Sequence, residues 1–398
     1  MRMFKSAFCF ASLVLSFSPL ALSSLLAQSA PLAQTPPMGW NAWNHFKRTI
    51  TDADVRAAAD AMVASGMRDA GYTYVNIDDT WEGDRDAQGN IQSNSKFPDM
   101  KALADYVHSK GLKLGIYSSP GPTTCAKFEG SYNHEQQDAD TYAKWGVDYL
   151  KYDLCGLRPI MKDQSHGDPQ VASNIMKQAY EKMHQALLNT HRPIVYSLCQ
   201  YGWDSPWTWA PLVGGNLWRT TGDIRDDYEH MSLIGFSQAG LAKFASPGHW
   251  NDPDMLEIGN GGMTPDEYQT HMSLWAILAA PLLAGNDLSK MDDLTKSILT
   301  NKDVIAVDQD RLGMQGDRVT AVGPCEVWMR PLDAGAKAVA LFNRGPLDTP
   351  ITVQLKDVGL DGPVHAVDLW SHKDLGLVQG SYTATVPRHG VVMLRLAR

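Results

Sequence analysis

Two short segments carry residue types that could break a bond. Lys151-Tyr152-Asp153-Leu154-Cys155 ends a run of β-type sequence, and side chains alternate along a strand, so Lys151 and Asp153 share one face. An ammonium on that face would hold the carboxylate ionised at neutral pH, and an ionised, positioned carboxylate is a nucleophile. The spacing by itself also fits a plain ion pair. Arg219-Thr220-Thr221-Gly222-Asp223-Ile224-Arg225-Asp226-Asp227 holds three acids and two arginines in nine residues, which taken alone reads as a solvated loop. If Asp223 instead faces Asp153 across a bound sugar, the negative neighbour and partial burial would raise its pKa and make it a general acid. Two carboxylates of opposed protonation are the minimum equipment for glycoside hydrolysis.

Two further acidic pairs, Asp78-Asp79 and Asp252-Pro253-Asp254, could bind a divalent cation through oxygen ligands. Neither has the spacing of a calcium loop. Both lie near tryptophans (Trp43, Trp81, Trp250), the usual combination for gripping sugars, with carboxylates accepting from hydroxyls and rings against C–H faces; sugar is therefore preferred to metal. Met255 beside Asp254 reads as core. His45, His108, His134, His166, His184, His191, His230, His249 and His271 show no ligand pattern and read as surface or packing residues. No Gly-x-Ser-x-Gly elbow, dinucleotide fingerprint or P-loop is present, so serine-hydrolase, dinucleotide and P-loop chemistries fall.

These residues need elements to position them. Strand-like runs at 38–43, 72–78, 112–118, 147–153, 193–198, 217–221, 249–252 and 281–284 alternate with helical patterns, as a closed (β/α)₈ barrel requires, and in such a barrel the active residues sit at the C-terminal ends of strands. One helix announces itself by Val55, Ala59, Met62 and Val63, another by the start signal Thr264-Pro265-Asp266-Glu267. Beyond about residue 310, seven short runs at 319–322, 326–331, 336–343, 351–354, 364–368, 381–386 and 390–396, separated by Gly, Pro and Asp turns, predict an antiparallel β-sandwich. The expected fold class is α/β, with a catalytic barrel at 31–311 followed by the sandwich at 312–398.

The chain has 398 residues, is 44% hydrophobic and carries a net charge of −9 with no basic run, so it is globular and a nucleic-acid partner is excluded by repulsion. Residues 1–30 begin with Arg2 and Lys5, contain no acid, and run through an apolar stretch to Ala27, Ser29 and Ala30. This reads as a secretory signal peptide, which places the mature chain in the periplasm or outside the cell with no membrane anchor. In that oxidising setting Cys125, Cys155, Cys199 and Cys325 can pair in three ways, and spacing does not choose among them.

Taken together, Pro36-Pro37-Met38-Gly39-Trp40-Asn41-Ala42-Trp43, Asn76-Ile77-Asp78-Asp79-Thr80-Trp81, Gly115-Ile116-Tyr117-Ser118, the segment 149–155, Trp218 through Ile224 and Trp250-Asn251-Asp252-Pro253-Asp254-Met255-Leu256 resemble the α-galactosidases of glycoside hydrolase family 27 in order and spacing. The resemblance implies a retaining hydrolase of terminal α-galactosides, with Asp153 as nucleophile and Asp223 as acid/base. It implies that Asp78 and Asp79 hold the hydroxyls at C4 and C6, Lys151 those at C3 and C4, and Arg219 and Asp254 the C2 and C3 side, while Trp43, Tyr117 and Met255 shape the pocket. Cys125 and Cys155 match the family's disulfide beside the site, worth roughly 3–4 kcal/mol by loop closure. Cys199 is then a thiol near the C2 hydroxyl and Cys325 a thiol in the sandwich. Tyr201 stands where plant members carry tryptophan. The bulk of Gln200 and Tyr201 argues against N-acetylgalactosamine, and Asp78-Asp79 leaves room for the C6 group that β-L-arabinopyranosides lack. Neither a cofactor nor a metal is implied; the remote alternative is a galactose-binding protein without turnover.

Overall fold

The computed structural model describes residues 31–398, so the expected signal peptide lies outside the described residues. The first half builds a ring of parallel strands. Those strands are β1 (Met38–Asn41) and β2 (Tyr74–Asn76), then, after a small antiparallel hairpin of β3 (Glu82–Arg85) and β4 (Ile91–Ser93), β5 (Lys113–Ser118), β6 (Tyr149–Asp153), β7 (Val195–Cys199), β8 (Leu217–Arg219), β9 (Trp250–Asp252) and β10 (Leu282–Ala284). The order is β10-β1-β2-β5-β6-β7-β8-β9. The ring closes just past β9, where Leu256 bridges Ala284 in parallel, with Leu256 N donating to Leu283 O at 2.8 Å. All eight expected barrel strands are present, and nearly all their residues are buried because helices cover the outer face and side chains fill the inner one.

Helix starts follow local chemistry. The helix Asp52–Ala64 opens on a capping box in which Thr51 and Asp54 satisfy each other's orphan amides. Pro265–Ile277 opens on the Thr264/Glu267 box that its sequence predicts. That helix buries residues on every side, from Tyr268 and His271 to Trp275 and Ile277. Burial all round means a helix enclosed on all faces.

The second half supplies one of those faces. The strands β11 (Asp317–Val322), β12 (Cys325–Pro331), β13 (Lys337–Asn343), β14 (Thr349–Gln354), β15 (Val364–Asp368), β16 (Lys373–Val378), β17 (Ser381–Val386) and β18 (Val391–Ala397) form a six-stranded antiparallel sheet, β11-β12-β13-β18-β15-β16, and a separate β14-β17 pair. Period-two alternation divides β13 between two cores: Val339 and Leu341 join the sandwich interior, whereas Ala338, Ala340 and Phe342 join the barrel's core. Eight strands stand where seven were expected. The missed one, β16, is an edge strand interrupted by Gly376 at φ 73°, with Leu377 exposed, so it lacks the alternation that marks a half-buried strand.

Candidate active site

The C-terminal ends of the barrel strands surround a cavity of about 520 Å³, the size of a small-ligand pocket. Asp153 and Asp223 both line it, with Trp43, Asp78, Asp79, Tyr117, Lys151, Tyr201, Arg219, Asp254 and Met255. Register explains the convergence. Tyr117 on β5 pairs with Lys151 on β6, Asp153 pairs with Cys199 on β7, and Arg219 on β8 pairs with Asp252 on β9.

One side of the cavity is a closed polar network. Asp78 Oδ2 accepts from Lys151 Nζ at 2.8 Å and from Asn41 Nδ2 at 2.9 Å, while its Oδ1 accepts from the Asp79 amide. The partner of Lys151 is thus Asp78, not Asp153 as expected from the shared strand face. Lys151 remains near enough to favour a charged Asp153, but burial outweighs it and raises the Asp153 pKa above the ordinary carboxylate value. The direct hydrogen bond to Asp153 comes from Tyr201, whose hydroxyl donates at 2.8 Å to Oδ1 and lies 3.0 Å from Oδ2. Asp79 accepts from the Ala126 amide at 2.7 Å; burial pushes its pKa up to about 6. Its Oδ1 and the buried Tyr117 hydroxyl have no hydrogen-bond partner among the described residues, and both residues line the cavity.

The loops behind this network are pinned. Cys125 and Cys155 form a disulfide with a Cα–Cα distance of 5.0 Å. Side chains at Gly121 or Gly156 would collide with the facing backbone, so glycine lets the two loops approach closely enough for that bond. Cys199 and Cys325 are free thiols. Cys199 is fully buried, 3.7 Å below Arg219 Nη1, and does not reach the cavity wall that the resemblance implied for it. Burial and the neighbouring Asp153 push its thiol well up. Gln200 is also buried and outside the lining, which leaves Tyr201 as the bulky residue facing the ligand space.

Asp254 organises the opposite wall. It sits at φ 85°, a conformation that costs a non-glycine residue on the order of 1–3 kcal/mol, and five contacts hold it there. Arg219 Nη2 pairs with its Oδ2 at 2.9 Å, the Ile224 and Met255 amides donate to its carboxylate, its own amide donates to Asp252, and Trp275 Nε1 donates to its carbonyl at 2.7 Å. Asp252 itself lies beneath the wall, with burial raising its pKa to about 6.

Asp223 differs from every acid above. Its side chain is 70% exposed at the mouth, with Oδ1 only 3.2 Å from Arg219 Nη2. The partial burial expected of it is absent, because the loop after β8 carries it over the rim and no protein group lies above it. His230 holds this loop: its Nε2 donates to the Asp223 carbonyl at 2.7 Å, and it lines the cavity with Arg225. From sequence, His230 reads as a surface or packing residue like the other histidines. Only its position three residues after the helix cap Asp227, in the segment following the acid, could have marked it.

Two expected sugar platforms are core residues instead. Trp81 Nε1 donates to the Tyr117 carbonyl at 2.9 Å and Trp250 Nε1 to the Ala33 carbonyl at 2.7 Å, so both rings are fully buried; Trp43 alone of the three lines the cavity. A cluster of ligand-type atoms at Cys125, Asp153 and Cys155 includes two sulfurs bonded to each other and so offers no thiolate. No helix among the described residues is long and apolar enough to cross a membrane.

A barrel with carboxylates and aromatic rings converging on a sugar-sized cavity at its strand ends fits a carbohydrate-active enzyme class, and comparison with known proteins narrows it. Residues 35–310 match the family model described as alpha galactosidase A, and residues 322–396 match its C-terminal beta sandwich domain. The chain is 49% identical over 368 residues to an alpha-galactosidase of Cyamopsis tetragonoloba, covering 91% of this chain and 86% of that one. The structure superposes on alpha-galactosidase I from Mortierella vinacea with a TM-score of 0.85 at 36% identity, covering 92% and 97% of the two chains. An alpha-galactosidase from Saccharomyces cerevisiae solved with raffinose gives a TM-score of 0.84 at 28% identity over 92% and 98%. The chain belongs to the α-galactosidases of glycoside hydrolase family 27.

Proposed function

We propose that this chain is an exported retaining exo-glycosidase that removes terminal non-reducing α-D-galactosyl residues from galacto-oligosaccharides, galactomannans or glycoconjugates. The observation that carries the reading is that Asp153 and Asp223, from different strand ends and in opposite surroundings, line one sugar-sized cavity. Asp153 attacks the anomeric carbon while Asp223 gives its proton to the departing oxygen, leaving a covalent galactosyl-aspartate. Asp223 then takes a proton from water, which attacks the same carbon and returns the electron pair to Asp153. Asp78, Asp79 and Lys151 grip the hydroxyls at C3, C4 and C6; Arg219 and Asp254 take the C2 and C3 side. Trp43, Tyr117, Tyr201 and Met255 give the walls their shape. In this scheme the sugar across the mouth supplies the cover over Asp223 that protein atoms do not. Residues 31–311 make the catalytic unit and 312–398 the sandwich, after removal of 1–30 on export to the periplasm or medium.

Hydrolysis of p-nitrophenyl α-D-galactoside, followed by NMR, tests the reading. The expected result is α-galactose as first product and a rate well above that on p-nitrophenyl β-L-arabinopyranoside. First-formed β-galactose would remove the double displacement, and a preference for the pentoside would remove the galactose assignment. Binding of galactose without any turnover would leave a lectin-like protein instead.

A further inference from the structure

The loop after β7 is the most contorted backbone near the cavity. Tyr201, Gly202, Asp204 and Ser205 have φ of 60°, 76°, 60° and 48°, and three of these are residues that rarely adopt such values. The loop is tied down on all sides. Gly202 N donates to the Arg219 carbonyl, Asp204 takes Lys177 Nζ at 2.8 Å and Ser173 Oγ on its carboxylate, and Trp209 Nε1 donates to its carbonyl. A side chain at Gly202 would strike the Thr220 carbonyl. The outcome is a fixed aim for Tyr201. Its ring lies within 4.8 Å of the Arg158 guanidinium and 5.9 Å of that of Arg219, and its oxygen sits 3.4 Å from Cys155 Sγ, within hydrogen-bond reach of both Asp153 oxygens.

We propose that Tyr201 is a positioning residue for Asp153: its O–H, aimed by the strained loop and the stacked guanidiniums, steadies the nucleophile and takes up charge on it when the galactosyl ester breaks. This rests on the assignment of Asp153 as nucleophile. One proton cannot serve two oxygens equally. As C1 bonds to one oxygen the carboxylate loses charge and the hydrogen bond weakens; as water displaces the sugar, the electron pair returns to the carboxylate and the bond strengthens. Tyr201 therefore favours the second step over the first.

The groups facing Asp153 are Asp78 just past β2, Tyr117 from β5, Lys151 on its own strand, Tyr180 from the helix Pro169–Asn189, Cys199 from β7 and Tyr201. Burial and Asp78 favour the neutral carboxyl, while Lys151, Tyr201 and the neighbouring Cys199 thiol favour the charged one. Burial, Cys199 and Asp153 hold the Tyr201 phenol far above its ordinary pKa, so it remains a donor throughout the working range.

Y201F deletes the donor and keeps the ring, and comparing it with the wild type tests the proposal. The acid limb of kcat/KM should move up by about half a pH unit or more. On an activated aryl α-galactoside, kcat and KM should fall together by roughly tenfold, with a burst of released phenol as the ester accumulates. R158M, which frees the ring without removing the hydroxyl, should shift both in the same direction by less. A slowly hydrolysed fluorinated galactosyl inactivator, applied to both proteins and read by peptide mass, identifies the nucleophile. Labelling at Asp153 with an unmoved acid limb, or with kcat reduced at constant KM and no burst, overturns the Tyr201 proposal and leaves the hydrolase intact. Labelling at another residue overturns both.

Discussion

The floor and the rim of the cavity are built on opposite plans. On the floor, each acid is committed before any ligand arrives: Asp78 to Lys151 and Asn41, Asp79 to the Ala126 amide, Asp153 to Tyr201, Asp254 to Arg219. At the rim, Asp223 projects from a loop with one long contact to Arg219 and a single histidine behind it. Such a division fits a pocket that recognises one sugar rigidly and tolerates variety in whatever is attached to it. Fixed donors and acceptors give selectivity at no reorganisation cost, whereas an acid on an open edge can serve leaving groups of many shapes.

The largest expected effect sets the two carboxylates against each other. With Asp153 as the proposed nucleophile, D153A should lose roughly 10⁴-fold or more in kcat on every substrate. D223A should lose roughly 10³-fold in kcat/KM on an oligosaccharide but far less in kcat/KM on the nitrophenyl galactoside, whose phenolate leaves without a proton, while kcat falls on both because water then attacks the ester without a base. Equal losses for both variants on both substrates would erase the distinction between floor and rim. K151M comes next: it strands the buried Asp78 carboxylate, so the urea midpoint should fall by an amount equivalent to roughly 3 kcal/mol, with a raised KM. An unchanged midpoint would mean the floor is not held by that pair.

H230A should act at the rim alone. It loosens the Asp223 backbone, lowering kcat/KM a few-fold on oligosaccharides, with kcat/KM on nitrophenyl galactoside nearly untouched and no change in melting temperature; that specificity is what a steady-state comparison would check. The smallest effect concerns pH. Burial raises Asp79 and Asp252 to about 6, Glu257 to about 7 and Asp308 to about 8, so the folded chain binds protons that the unfolded chain, with carboxyl pKa values near 4, releases. Their contribution to stability is present below about pH 4 and is lost as pH rises through 6 to 8. The melting temperature should rise on acidification from pH 8 to 5, and D252N, which keeps an oxygen for the Asp254 amide, should flatten that rise by on the order of 1–2 kcal/mol. A steeper profile in D252N would contradict the burial argument.

Strand positions were legible because each barrel strand is a compact apolar run bounded by turns, and the eleven cavity-lining residues named from sequence sit at the ends those runs define. What escaped was pairing across elements. Lys151 chooses Asp78, 73 residues away and just past β2, and nothing in the pentapeptide that contains it reports that choice. The tryptophans misled for a related reason: an indole beside an aspartate looks the same in sequence whether its N–H meets a ligand or a backbone carbonyl. His230 acts through its ring on a carbonyl, and β16 has no alternation to read. In each case the deciding partner is remote in sequence or belongs to the backbone.

The helix Pro265–Ile277 carries one more implication. Trp275 supports the carbonyl of Asp254, while the far side of the same helix is fastened by Arg330 Nη1 to the Ala276 carbonyl, by Trp370 Nε1 to Ser273 Oγ and by Thr270 Oγ1 to the His389 carbonyl. Asp254 is therefore braced, one layer removed, by the C-terminal strands. A catalytic half expressed without its tail would not be a smaller enzyme but a damaged one, and the two halves should melt as a single event.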